Sequence, residues 1–108
     1  MKLPEGAELL RIFIGESDRF DGRPLYEAIV EEARRRGLAG ATVLRGVLSY
    51  GVHSRLHTSK VLRLSEDLPM VVEIVDRKER IEDFLPVLDK MVKEGLITIE
   101  DIRVIAYR

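Results

Sequence analysis

The sequence predicts an α+β sandwich, a four-stranded antiparallel sheet with two helices on one face, and three observations predict it. Four runs rich in β-branched and other apolar residues are set off by two longer stretches whose apolar residues recur three and four apart. Their order is strand, helix, strand, strand, helix, strand, the split βαβ pattern of the ferredoxin-like fold. The chain has 108 residues, 45% hydrophobic and 34% charged, which suits one packed core and is too short for two. Residues 1–108 are therefore read as a single domain, with 1–7 as a short N-terminal extension.

The first strand is Glu8 to Ile14, where Leu10, Ile12 and Ile14 alternate with Arg11 and Phe13 and Gly15 closes the run. A polar stretch from Glu16 to Arg23 follows, and Pro24 presets the first helical turn. Leu25, Ile29, Val30 and Ala33 form one stripe of that helix; Glu27, Glu31 and Glu32 come early and Arg34 to Arg36 late, matching the helix dipole, and Gly37 stops it. The second strand is read over Ala41–Leu48, a polar loop from Gly51 to Lys60, and a short extended return over Val61–Leu64. Turn chemistry at Ser65 to Pro69 leads into the β-branched strand Met70 to Val75. Asp76 and Glu79 have capping-box spacing for the second helix, whose stripe is Ile81, Phe84, Leu85, Leu88, Met91 and Val92, with a kink expected at Pro86. Gly95 ends it, and Leu96 to Tyr107 reads as the last strand, irregular at Glu100-Asp101.

Two helices cover only one face of such a sheet. If Leu10, Ile12, Val72 and Ile74 face them, the other face carries Phe13, Val43, Val47, Val71, Val75, Ile105 and Tyr107, which is too apolar for water and is expected to be a subunit interface. Arg11, Arg45, Glu73 and Arg103 are mixed into it, and Glu73 is expected to pair with a neighbouring arginine.

Composition excludes several functions. With 18 basic and 19 acidic residues the chain lacks the positive field of a non-specific nucleic-acid binder, and no nucleic-acid partner is expected. Without cysteine there is no disulfide framework, thiolate metal site or cysteine nucleophile. Asn, Gln and Trp are absent, a bias that points to a heat-adapted source. Neither a signal-peptide run nor a membrane-length apolar run occurs, so the cytoplasm is the expected compartment.

The most concentrated anion-binding composition is the loop from Gly51 to Arg63. Ser54, Thr58 and Ser59 offer hydroxyls, Arg55 and Lys60 offer charge, His53 offers a ring donor, and no acid intervenes. A solvated loop has the same composition. His53 and His57 stand four apart, but the segment lacks helical periodicity and a third ligand, so no metal site is assigned. Phosphate-loop, dinucleotide-glycine and serine-elbow motifs are all absent, as are the stacking aromatics of RNA-binding modules on this fold. No catalytic residue is assigned.

Ile14-Gly15-Glu16-Ser17-Asp18, Gly22-Arg23-Pro24-Leu25-Tyr26, Gly40-Ala41-Thr42-Val43 with Arg45-Gly46, and Asp67-Leu68-Pro69 with Val72-Glu73-Ile74-Val75-Asp76 resemble an uncharacterised, PII-like family of small prokaryotic proteins. The resemblance runs from about Leu10 to Tyr107. It implies a homotrimer with its sheets facing inward, nucleotide sites in the clefts between subunits, and a ligand-responsive loop, here 50–63. By motif, Thr42 is similar to a threonine near the adenine, Gly51 to the glycine at the loop base, Glu73 and Val75 to residues lining the base pocket, and Gly95 to the last glycine before the final strand. Arg108 resembles one of two phosphate-binding arginines; the other is Ala106 here, and the phosphate lysine is replaced by Leu96. A site with fewer cations favours AMP or ADP over ATP. The expected function is thus a non-enzymatic, adenine-nucleotide-responsive regulator that needs no cofactor and signals through its loop to a membrane transporter or an enzyme. A metal-responsive trimer similar to CutA, using His53 and His57, and an enzyme on the same fold are the alternatives.

Overall fold

The computed structural model describes residues 6–49 and 68–108. The expected loop 50–63 and the return at Val61–Leu64 therefore lie outside the described residues. The elements are β1 (Ala7–Gly15), β2 (Arg19–Phe20), β3 (Arg23–Pro24), α1 (Leu25–Arg35), β4 (Ala41–Arg45), β5 (Pro69–Arg77), α2 (Lys78–Met91) and β6 (Leu96–Ile102). The main sheet has the order β4-β5-β1-β6 with every pairing antiparallel, which is the ferredoxin-like sandwich.

Alternation decides the faces. Leu10, Ile12 and Ile14 of β1 and Met70, Val72 and Ile74 of β5 turn to the helices and meet Leu25, Ala28, Ile29 and Ala33 of α1 and Ile81, Phe84, Leu88 and Met91 of α2. Leu10, Ile12, Ile29, Val72, Ile74, Ile81 and Leu88 are wholly inaccessible, each stabilising the fold by about 1.5–3 kcal/mol relative to exposure. The helix stripes are those expected from spacing.

Five local features differ from expectation. The polar stretch before α1 contains a small hairpin, β2 with β3, turned by Asp21 (φ 51°) and Gly22 (φ 76°); two successive positive φ angles make the type I′ turn that an Asp-Gly pair favours. Asp76 is not a helix cap: Arg77 holds that position, and the Asp76 side chain, fully buried, accepts hydrogen bonds from the backbone N–H of Ala39 (2.9 Å) and of Arg77 (2.7 Å). β4 stops at Arg45, short of Leu48, and β6 runs unbroken through Glu100-Asp101 but ends at Ile102. Pro24 is the residue before α1, not its first turn.

The faces need one correction as well. Val43 pairs with Val72, so it lies on the helix side, and Ile105 and Tyr107 lie beyond the last strand. The open face instead shows a row Leu44, Val71, Phe13 and Leu96 across all four strands, above a row Thr42, Glu73, Arg11 and Thr98. Arg45 pairs with Met70 on the helix side and is ion-paired to Glu16.

Candidate functional site

The candidate residues gather where β4 meets β5. Thr42 stands directly opposite Glu73, and Val75 follows two residues along β5 on the same open face. Glu73 is held in place: its Oε2 accepts from Arg11 Nε at 2.9 Å, while Arg11 Nη1 donates to Glu100 Oε1 at 2.7 Å. The hydrogen bond to Glu73, then that to Glu100, raises the Arg11 pKa, so this cation stays charged at any working pH. The pairing of Glu73 with a neighbouring arginine is thus as expected. Thr42 is exposed beside it.

The turn from α1 into β4 places Thr42. Gly37 adopts φ 77° after the last helical residues, Leu38 N–H donates to Ala33 O at 3.0 Å, and Arg80 reaches from α2 to the carbonyls of Gly37 and Arg36. At the chain end, the Tyr107 hydroxyl donates to Ala39 O at 2.7 Å. That contact carries the C-terminal segment from the β6 edge back to the start of β4, at the end of the sheet toward which Val75 lies from the middle row of Thr42 and Glu73.

Gly95 lies elsewhere. It adjoins Phe13 and Ile14, whereas Val75 pairs with Leu9, a separation of about 13 Å along β1. Its φ is 154°, and a Cβ there would come within 2.7 Å of Phe13 O and 3.1 Å of Ile14 Cγ2, so the position demands glycine for packing and backbone alike. Gly51, His53, Ser54, Arg55, Thr58, Ser59 and Lys60 are outside the described residues.

A depression of about 550 Å³ lies at the end of β1 and β6, lined by Glu8, Lys78, Asp101 and Arg103 among others, and one of about 700 Å³ lies between the outer faces of α1 and α2. Neither includes Thr42, Glu73, Val75, Gly95 or Arg108. Among the described residues no group of three His, Asp or Glu side chains could hold a metal ion, and no helix is long and apolar enough to cross a membrane. Sequence reasoning missed the Asp76 and Tyr107 contacts to Ala39; their only trace is an aspartate after a strand and a lone terminal tyrosine.

Residues 7–104 match the family model DUF190, described as "Uncharacterized ACR, COG1993". A UPF0166 protein of Aquifex aeolicus is 45% identical over 98 residues, covering 91% of this chain and 92% of that protein. A UPF0166 protein of Methanocaldococcus jannaschii is 39% identical over 99 residues, covering 91% of each. Among solved structures, CPII of Thiomonas intermedia bound to ADP and bicarbonate superposes with a TM-score of 0.61 at 18% identity, covering 92% of this chain and 88% of that one. A Thermus thermophilus protein described as PII-like gives 0.63 at 19% identity, covering 93% and 90%. Sheet order, helix placement and sequence similarity along nearly the whole length agree, and the chain belongs to the DUF190 family and has a PII-like fold.

Proposed function

We propose that the protein is a non-enzymatic, homotrimeric regulator that binds an adenine nucleotide, AMP or ADP, in clefts between subunits. The observation that carries this reading is the convergence of Thr42, Glu73 and Val75 on one open face, with the Tyr107–Ala39 contact returning the segment that bears Arg108 to the start of β4. The base packs on Val75 beside Thr42, and Arg108 contacts phosphate. Among the described residues of one chain Leu44, Phe13 and Leu96 stay exposed on that face, and Gly95, beside Phe13 and Ile14, completes the cleft from a neighbouring copy.

The uncovered row of Leu44 (49% exposed), Phe13 (37%) and Leu96 (57%) supports burial of this face against further copies. The fold likeness to CPII, solved with ADP and with ADP plus AMP, supports the ligand class. Leu96 and Ala106 contribute no charge where a triphosphate would need it, which favours the shorter nucleotides. Nucleotide contacts with Gly51 and with His53, Ser54, Arg55, Thr58, Ser59 and Lys60 shift the population of the 50–63 loop, and the shifted loop engages a transporter or enzyme in the cytoplasm.

Calorimetric titration with AMP, ADP, ATP and zinc tests this. AMP or ADP binds the native protein, Arg108→Ala weakens it by about 1.5–3 kcal/mol, and a His53→Ala/His57→Ala double variant leaves ADP affinity far less altered than Arg108→Ala does. Zinc binding abolished in the histidine variant, with no nucleotide binding to the native protein, would overturn the reading in favour of a metal-responsive trimer.

A further inference from the structure

The turn 37–40 between α1 and β4 is fixed on several sides by residues far away in sequence. The Asp76 carboxylate, fully buried, accepts the Ala39 N–H at 2.9 Å through Oδ2 and the Arg77 N–H at 2.7 Å through Oδ1. Arg80 Nε lies 3.8 Å from Asp76 Oδ2, and its Nη2 donates to Gly37 O and, at 3.4 Å, to Arg36 O. The remaining polar group of Ala39, its carbonyl, accepts from the Tyr107 hydroxyl at 2.7 Å. Both polar groups of one residue are thus engaged, one by the core and one by the chain terminus.

Among the described residues the terminal segment makes few other contacts, Val104 alone being half-buried. Ile105 is 87% exposed and Tyr107 46%, so burial contributes little order there. Among the described residues, the Tyr107 hydroxyl is the hydrogen bond that ties 104–108 to the rest of the chain. Ala39 is three residues before Thr42, and Tyr107 directly precedes Arg108.

We infer that Tyr107 is a positioning residue, whose hydrogen bond to the Asp76-anchored Ala39 peptide holds Arg108 beside the start of β4 before ligand arrives. The inference rests on the nucleotide reading above and goes beyond it, since Tyr107 touches no ligand and acts only through Arg108. An arginine already placed loses less freedom on contacting phosphate, so the tie raises affinity by preorganisation. Without it, the segment must be ordered at the moment of binding.

The test is a four-cornered ADP titration of the native protein, Tyr107→Phe, Arg108→Ala and the double variant. Tyr107→Phe removes one oxygen from an exposed side chain, so the unfolding midpoint is expected to be unchanged while ADP affinity falls about tenfold, equivalent to about 1.4 kcal/mol. In the Arg108→Ala background the same change is expected to cost nothing further. Backbone order over 104–108 without ligand, read by the heteronuclear 15N NOE, is expected to fall in Tyr107→Phe and to stay native over β4. Equal losses in both backgrounds, or native backbone order over 104–108 in Tyr107→Phe, would overturn the inference. ADP binding to the native protein with Tyr107→Phe unaltered would overturn it alone, whereas no ADP binding to the native protein would remove the nucleotide reading and this inference with it.

Discussion

Replacing Asp76 by Asn keeps the volume of a fully buried side chain and changes only its charge and one of its two acceptors. The carboxylate accepts two backbone N–H groups, from Ala39 at 2.9 Å and Arg77 at 2.7 Å, with the Arg80 guanidinium 3.8 Å away. An asparagine can accept through its one oxygen but must aim an amide N–H at the other donor. One charge-assisted hydrogen bond is lost, at about 1.5–3 kcal/mol, and a backbone N–H is left without a partner. Arg80 also loses its counter-ion, so the combined destabilisation is about 2–4 kcal/mol, and Asp76→Ala, which loses both bonds, reaches about 3–5 kcal/mol. Urea unfolding at one fixed protein concentration reads the difference, with exposed Asp83→Asn as a control expected within about 0.5 kcal/mol of native. An Asp76→Asn protein as stable as the control would refute the assignment of Asp76 as the anchor of the α1–β4 turn.

Gly95→Ala forces a Cβ to within 2.7 Å of the Phe13 carbonyl at φ 154°, and urea unfolding is expected to show a loss of about 2–4 kcal/mol; Gly40→Ala, with open space and no positive φ, is expected to be neutral or slightly stabilising. Hydrogen bonds from Arg35 and Arg36 hold the Glu32 carboxyl below its ordinary value of 4.5, so its contribution is present above that pH and is lost as pH falls through the lower folded value. The stability gap between native and Glu32→Gln, about 0.5–1 kcal/mol at neutral pH and smaller in high salt, is therefore expected to close on acidification in denaturation series run at several pH values. Val71 sits between Phe13 and Leu44 on the open face, and Val71→Asp places a carboxylate where copies are proposed to meet; light scattering is expected to fall to the mass of one chain with native circular dichroism.

Strands and helices are legible where one face is deeply buried. Leu10, Ile12 and Ile14 alternate because the helices cover one side of β1, and Ile29 and Phe84 recur at helical spacing for the same reason. Edges are less legible: Val47, Ile105 and Tyr107 keep an apolar pattern although they lie outside any strand and are exposed, so pattern alone overextends β4 and β6. The Asp21-Gly22 turn has a recognised signature, but its flanking strands are two residues each, too short for alternation to show. Asp76 misleads because an N-cap and a buried acceptor both place aspartate before a helix; only folding brings Ala39, 37 residues away, to its carboxylate. The candidate site divides in the same way. Thr42, Glu73 and Val75 are nameable from motif resemblance, but their shared face depends on the β4–β5 register, and the Tyr107–Ala39 contact is long-range and encoded by no local pattern.

The central claim, a trimer that takes adenine nucleotide between its subunits, is tested most directly by native mass spectrometry of the full chain with and without ADP. The account predicts a three-chain species that binds up to three ADP molecules, with Arg108→Ala retaining the trimer and losing the nucleotide. A monomer, or a trimer to which neither ADP nor AMP adds mass, would contradict it.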